Sequence, residues 1–176
     1  MKKHVLLTIL FTLTLTVLFA QKEEKTDKLI KDSNSSKNAF LKADPEMAGF
    51  FDRSAGYVIF PNVGKGGLGV GAASGNGILF EKGNAVGRAK MTQVTIGFQA
   101  GGQAYQEVIF FEDQRALERF KDNKFEFSAQ VSAVAAASGA SADAKYDDGV
   151  LVFTLPKKGL MYEASVGGQK FSYTSF

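Results

Sequence analysis

The sequence contains no cysteine and no tryptophan, and its single histidine is His4. Beyond residue 4 the chain therefore has no thiol nucleophile, no imidazole base and no thiolate or imidazole ligand for a metal. Carboxylates remain, but none are paired at a spacing that suggests acid–base catalysis, and Asp147 and Asp148 stand before Gly149 as in a turn. We therefore expect a protein that is not an enzyme and that needs no metal and no cofactor.

The chain has little excess charge once its first residues are set aside. Lys2 and Lys3 precede an apolar run from Val5 to Ala20, and the sequence then turns polar, which is the pattern of a secretory signal peptide. The run is shorter than the roughly 20 residues that span a bilayer. Cleavage after Ala20 would remove both lysines and lower the formal charge from +3 to +1. We predict a signal peptide at 1–20, a periplasmic or secreted protein, and no nucleic-acid partner.

Residues 21–43 are highly charged but balanced, and we predict a polar linker or frayed helix there. The pair Leu29 and Ile30 lies about three helical turns before Phe40 and Leu41, so both pairs could share one face. A membrane-surface helix is the alternative, but the polar side is not enriched in lysine or arginine. The folded domain is expected to cover residues 44–176.

Glycine is concentrated after the apolar strand predicted at 57–60. Gly67, Gly69 and Gly71 occupy alternate positions, so a single strand at 67–73 would have one bare face. Such a row indicates close approach of another backbone or a ligand. The G-x-G-x-x-G spacing that starts at Gly64 does not indicate a nucleotide site, because the glycine-rich continuation would not hold the helix that this motif requires.

The remaining pattern predicts an α+β fold: a predominantly antiparallel sheet, barrel- or sandwich-like, with a few short packing helices. Asp44 and Asp113 are suitable helix N-caps, each followed by apolar residues at helical spacing. Alternation and turn residues predict strands at 57–60, 67–73, 78–82, 85–90, 94–100, 104–111, 125–135, 150–155, 160–166 and 169–176. Turns are expected at 82–84, 156–159 and 167–168.

These motifs, in this order, resemble those of the SYLF-domain family. The matching stretches are AGYVIFP from Ala55, GKGG from Gly64, GVG from Gly69, GNG from Gly75, TIGFQAGGQ from Thr95, FF at Phe110, AL at Ala116, GLMYEA from Gly159 and GQKF from Gly168. The resemblance covers roughly residues 39–176. It implies a compact, sheet-rich domain that binds lipid, with phosphoinositides bound by eukaryotic relatives and actin by the yeast ones.

Two features of this sequence limit what the resemblance implies. Residues 88–92 stand where eukaryotic members often carry a tryptophan-containing stretch, and the signal peptide would place the protein away from actin and phosphoinositides. We therefore expect a lipid-binding or membrane-associating module of the cell envelope, with an anionic lipid or membrane surface as partner and actin as an unlikely one.

Basic residues in the sheet region are the candidate lipid contacts. Lys65 stands among glycines whose backbone N–H groups could cradle an anion. The full set of candidates is Lys65, Arg88, Lys90, Lys157 and Lys158. Two alternatives remain open: a secreted protein-interaction or structural module, and an outer-membrane β-barrel. Lys170, Ser172 and Thr174 argue against the barrel, because they share one face of the last predicted strand and suit no lipid-facing surface.

Overall fold

A computed structural model of the protein describes residues 2–68, 70–96, 102–123, 125–126, 133–158 and 168–176. Within these ranges the helices are α1 (Lys2–Ala43), α2 (Ala48–Arg53), which follows a 3-10 turn at Pro45–Met47, and α3 (Gln114–Lys121). The strands are β1 (Gly56–Leu68), β2 (Val70–Glu81), β3 (Asn84–Ile96), β4 (Gly102–Phe111), β5 (Val134–Ala135), β6 (Val150–Lys158) and β7 (Gln169–Ser175).

The described strands form one sheet in the order β5-β6-β4-β1-β2-β3-β7. Every neighbouring pair is antiparallel except β5 and β6. The predicted class, α+β with a predominantly antiparallel sheet, is confirmed, although α1 is a long helix.

The sheet curls strongly, so that strands distant in its order meet across one face. The rings of Phe60 on β1 and Phe171 on β7 have centroids 5.9 Å apart, although β2 and β3 lie between these strands. We call this side the concave face. It carries Val58, Phe60, Met91, Ile109, Val152 and Phe171, and the buried side of α3 packs against it.

The opposite side, the outer face, is covered in part by α1 and by residues 44–53. Phe40 is fully buried there, and Leu29, Ile30 and Leu41 pack against the same apolar cluster. The two pairs that were predicted to share a helical face therefore do so. Ser33 and Ser36 are also buried, and side chains this small allow the helix to approach the sheet closely. The boundary between a signal peptide at 1–20 and a linker at 21–43 stays a prediction.

Both predicted N-caps are present. An Asp113 Oδ1 accepts a hydrogen bond from the backbone N–H of Ala116 at 2.8 Å, and an Asp44 Oδ1 accepts one from Glu46 at 3.2 Å. Burial acts to raise the pKa of Asp44, but hydrogen bonds from Ser141 and Glu46 outweigh it and leave that pKa lowered. The predicted turn at 82–84 is also confirmed: Lys82 and Gly83 have φ of 49° and 81°.

One strand prediction and one turn prediction are wrong. Residues 67–73 are not one strand, because β1 and β2 pair as a hairpin in which Gly67 faces Gly71 and Leu68 faces Val70. In a single strand, alternate residues share one face. In the hairpin, paired residues share one face, and this groups the same residues together. The sequence pattern therefore could not distinguish a single strand from a hairpin. The predicted turn at 156–159 fails as well, since β6 continues through Lys158.

Some predicted elements lie wholly or partly outside the described residues. Gly69, residues 97–100 and the strand at 160–166 are among them. Of the strand predicted at 125–135, only the ends are described. Glu126 pairs with Lys170 of β7, and Val134–Ala135 pair with β6, so the two described ends lie beside opposite margins of the sheet.

Candidate functional site

The structure distributes the five predicted basic residues over three places. Arg88 and Lys90 lie two residues apart on β3 and face the same outer side. Lys65 lies on β1 opposite Ala73, on the concave face, and is half-buried. Lys157 and Lys158 lie on β6, which β4, β1 and β2 separate from β3 in the sheet. Only Arg88 and Lys90 therefore belong to one candidate site.

A cleft of about 540 Å³ opens beside these two residues, between α1 and the outer face of β2, β3 and β7. The sheet register builds its floor: Lys90 pairs with Asn76 on one side and Ser172 on the other, and Arg88 pairs with Thr174. We call it the basic cleft; it is lined by Lys25, Leu29, Asn76, Arg88, Ala89, Lys90, Ser172 and Thr174.

The lining of the basic cleft has the chemistry of an anion site. It combines three basic side chains with hydroxyl and amide groups, and no carboxylate is among its described lining residues. An Arg88 Nη1 donates to the Thr26 Oγ1 at 3.3 Å, which ties the guanidinium to α1 and helps fix its position. Lysine and arginine together with hydroxyl donors are the groups that bind phosphate oxygens.

Sequence reasoning missed part of this lining. Lys25 belongs to the segment predicted as a polar linker or frayed helix. No local signal could identify it as a lining residue, because its position depends on how α1 crosses the sheet. Asn76, Ser172 and Thr174 were recoverable in principle, since each is a register partner of Lys90 or Arg88 once the strands are paired.

Gly77 is a glycine at a close-packed position that the sequence did not single out. A Cβ on Gly77 would lie 2.6 Å from the Ile59 carbonyl oxygen and 2.7 Å from the Phe60 ring, whereas a Cβ on Gly64 would have no neighbour within 4 Å. Gly77 thus lets Phe60 pack over β2 on the concave face. The structural role assigned to Gly67, Gly69 and Gly71 stays a prediction.

A second feature that the sequence did not suggest lies inside the curl. Glu107 on β4 and Gln169 on β7 are both fully buried, and the Gln169 Nε2 donates to the Glu107 Oε2 at 2.9 Å. Thr154, directly opposite Glu107 on β6, is also fully buried, and Tyr105 is nearly so. Burial raises the pKa of Glu107 to about 7, although the hydrogen bond from Gln169 acts in the other direction.

Neither a metal-binding cluster nor a membrane-spanning helix is found among the described residues. No cluster of three or more histidine, cysteine, aspartate or glutamate side chains there could hold a metal ion. No helix among those residues combines the length and apolar character needed to cross a membrane.

Comparison with known proteins adds two matches. Residues 92–175 match the family model described as "Ysc84: Las17-binding protein actin regulator". A protein named Beta cell expansion factor A, from Aeromonas veronii, is 29% identical over 130 residues, which is 72% of this chain and 49% of the relative. The chain thus spans about half the length of this relative.

The matched family segment holds part of both sites described above. It includes β4, β6 and β7, and therefore Glu107 and Gln169, together with Ser172 and Thr174 of the basic cleft. The resemblance inferred from the sequence is confirmed over this segment: residues 92–175 match the model of the Ysc84, or SYLF, family.

Proposed function

We propose that this protein is a non-enzymatic module that associates with anionic lipid surfaces, and that the basic cleft receives a phosphate-bearing headgroup. The observation that carries this proposal is the convergence of Lys25, Arg88 and Lys90 on one open cleft whose described lining contains no carboxylate. The family match over residues 92–175 supports lipid or membrane association of this coarse kind.

The net charge explains why the cleft matters. With a formal charge close to zero after loss of residues 1–20, the molecule has no strong overall attraction to an anionic surface. Binding must then come from local groups, and each lysine or arginine near such a surface contributes about 1 kcal/mol. The cleft supplies three of these groups, with Leu29 as an apolar contact beside them.

We also propose that the protein works in the cell envelope, as a periplasmic or secreted protein. The basic start and apolar run of residues 1–20 support export. Actin is not a partner under this proposal, because an exported bacterial-type domain does not meet it.

Liposome co-sedimentation tests the lipid proposal. The protein should bind vesicles rich in anionic phospholipid, bind neutral vesicles weakly, and lose binding at high salt. The double variant Arg88→Gln/Lys90→Gln should weaken the anionic binding by about 2 kcal/mol, or roughly 30-fold.

A matched control removes two positive charges elsewhere. Lys157→Gln/Lys158→Gln lies on β6, away from the cleft, and should bind nearly as well as the wild type. Equal losses in both double variants would refute the cleft and leave diffuse charge as the cause. No binding to any vesicle would refute lipid association and favour a secreted protein-interaction module.

A further inference from the structure

The contact between Glu107 and Gln169 joins the middle of the sheet to its margin. In the strand order β4-β1-β2-β3-β7, three strands separate the two residues, yet their side chains meet across the concave face at 2.9 Å. Both side chains are fully buried. This side-chain hydrogen bond links β7 directly to β4. It adds to the backbone pairing between β7 and β3.

Two acceptor atoms of this pair have no hydrogen-bond partner among the described residues. The Gln169 Nε2 donates to the Glu107 Oε2, but the Oε1 atoms of both residues are buried and accept no hydrogen bond. If Glu107 is ionised, both of these atoms are acceptors only, and neither can satisfy the other. A proton on the carboxyl group provides the missing donor and removes an isolated buried charge, which is costly in an apolar interior.

We propose that a proton held by Glu107 is a latch that keeps β7 closed over the concave face. With the proton in place, Glu107 and Gln169 form a neutral acid–amide pair across the interior. Without it, β4 presents an uncompensated carboxylate to β7, and the closed arrangement becomes less favourable relative to one in which β7 has moved away and water reaches Glu107.

Few charged or titratable groups face this pair among the described residues. They are Tyr105 on β4, Lys65 on β1 and Tyr173 on β7, which share the concave face. Burial first, and then the charge of Glu107, raise the pKa of Tyr105, so its hydroxyl stays protonated and offers no negative charge of its own. Lys65 is half-buried two positions beyond Val63 on β1. Its ammonium is not among the causes of the pKa shift of Glu107.

The direction of the pH effect follows because the Glu107 carboxyl group is buried in the closed state and exposed to water in the open state. Its pKa is about 7 in the closed state and returns toward the ordinary 4.5 when water reaches it. The latch therefore contributes fully below about pH 4.5 and is lost as the pH rises to about 7, with up to a tenfold change in the closed-to-open ratio per pH unit. Opening exposes aromatic surface, because Phe171 leaves Phe60, Phe120 and Phe125.

Hydrogen exchange of the full chain between about pH 5 and pH 7 tests the latch, with labelling times scaled for the intrinsic chemistry of exchange. Peptides covering Gln169–Ser175 should lose protection as the pH rises, by up to about 100-fold over two units. Peptides from β1 and β2 should lose much less. Glu107→Gln, which stays neutral at every pH, should abolish the pH dependence in β7.

The control variant is Glu126→Gln. It removes an exposed carboxylate that lies 3.2 Å from the ammonium of Lys170 on β7. It should keep the pH dependence of the wild type. An equal loss of protection in β1, β2 and β7 would refute a local latch, as would an unchanged pH dependence in Glu107→Gln. Titration of the Glu107 carboxyl carbon by ¹³C NMR in the wild type needs no variant, and an ordinary pKa there would refute the proposal.

Discussion

At the scale of single residues, the space around each glycine determines what a methyl group costs. Gly77→Ala places a Cβ against the Ile59 carbonyl and the Phe60 ring and should destabilise the protein by about 1–3 kcal/mol, as overpacking does. Gly64→Ala adds the same methyl group in open space and should be neutral or stabilising by up to about 1 kcal/mol. Urea unfolding of both variants measures the difference. Equal stability of the two would mean that Phe60 does not pack over Gly77.

Also at this scale, the sequence could identify residues whose role is local and not those whose role depends on the curl. Asp113 as a cap and Lys82-Gly83 as a turn follow from their immediate neighbours. Glu107 appears in the sequence as the one acid of β4, directly before an apolar run. Its significance depends on Gln169, which reaches it only because the sheet bends.

At the scale of elements, α3 shows how a short helix depends on its first turn. Its eight residues are too few for stability in isolation, so it relies on the Asp113 cap and on burial of Leu117 and Phe120. Asp113→Ala should cost about 1 kcal/mol through loss of the hydrogen bond from Ala116. Asp113→Ser should retain most of this stability, since serine also caps. A thermal midpoint that is equally lowered in both variants would contradict the capping role.

Most strands could be located from the sequence, but their pairing could not. The positions of β4, β6 and β7 were predicted within a few residues. Continuous apolar runs mark β4 and β6, which are buried on both faces, and alternation marks β7. The hairpin of β1 and β2 was interpreted as one strand, since pairing Gly67 with Gly71 preserves the same alternation. Arg88 and Lys90 were predicted as basic residues of the sheet region, whereas the partner elements that complete the basic cleft, α1 and β7, depend on tertiary packing.

At the scale of the whole molecule, the export proposal has its own test. Expression of the full chain in a Gram-negative host, followed by osmotic-shock fractionation, should yield a periplasmic product shortened by 20 residues, as mass spectrometry would show. Lys2→Glu/Lys3→Glu reverses the basic start and should retain the precursor inside the cell. A full-length product found only in the cytoplasm would refute the signal peptide.

The curl of the sheet also sets the order in which the chain can become a folded domain. Phe171, near the carboxyl end, completes an aromatic cluster with Phe60, which is synthesised long before it. Contacts between such distant segments slow folding, because a large loop must close before they form. The chain emerges residue by residue from a ribosome or a translocation channel. The interior of its core therefore stays open until β7 has emerged. During that interval the aromatic surface is accessible to chaperones and vulnerable to aggregation.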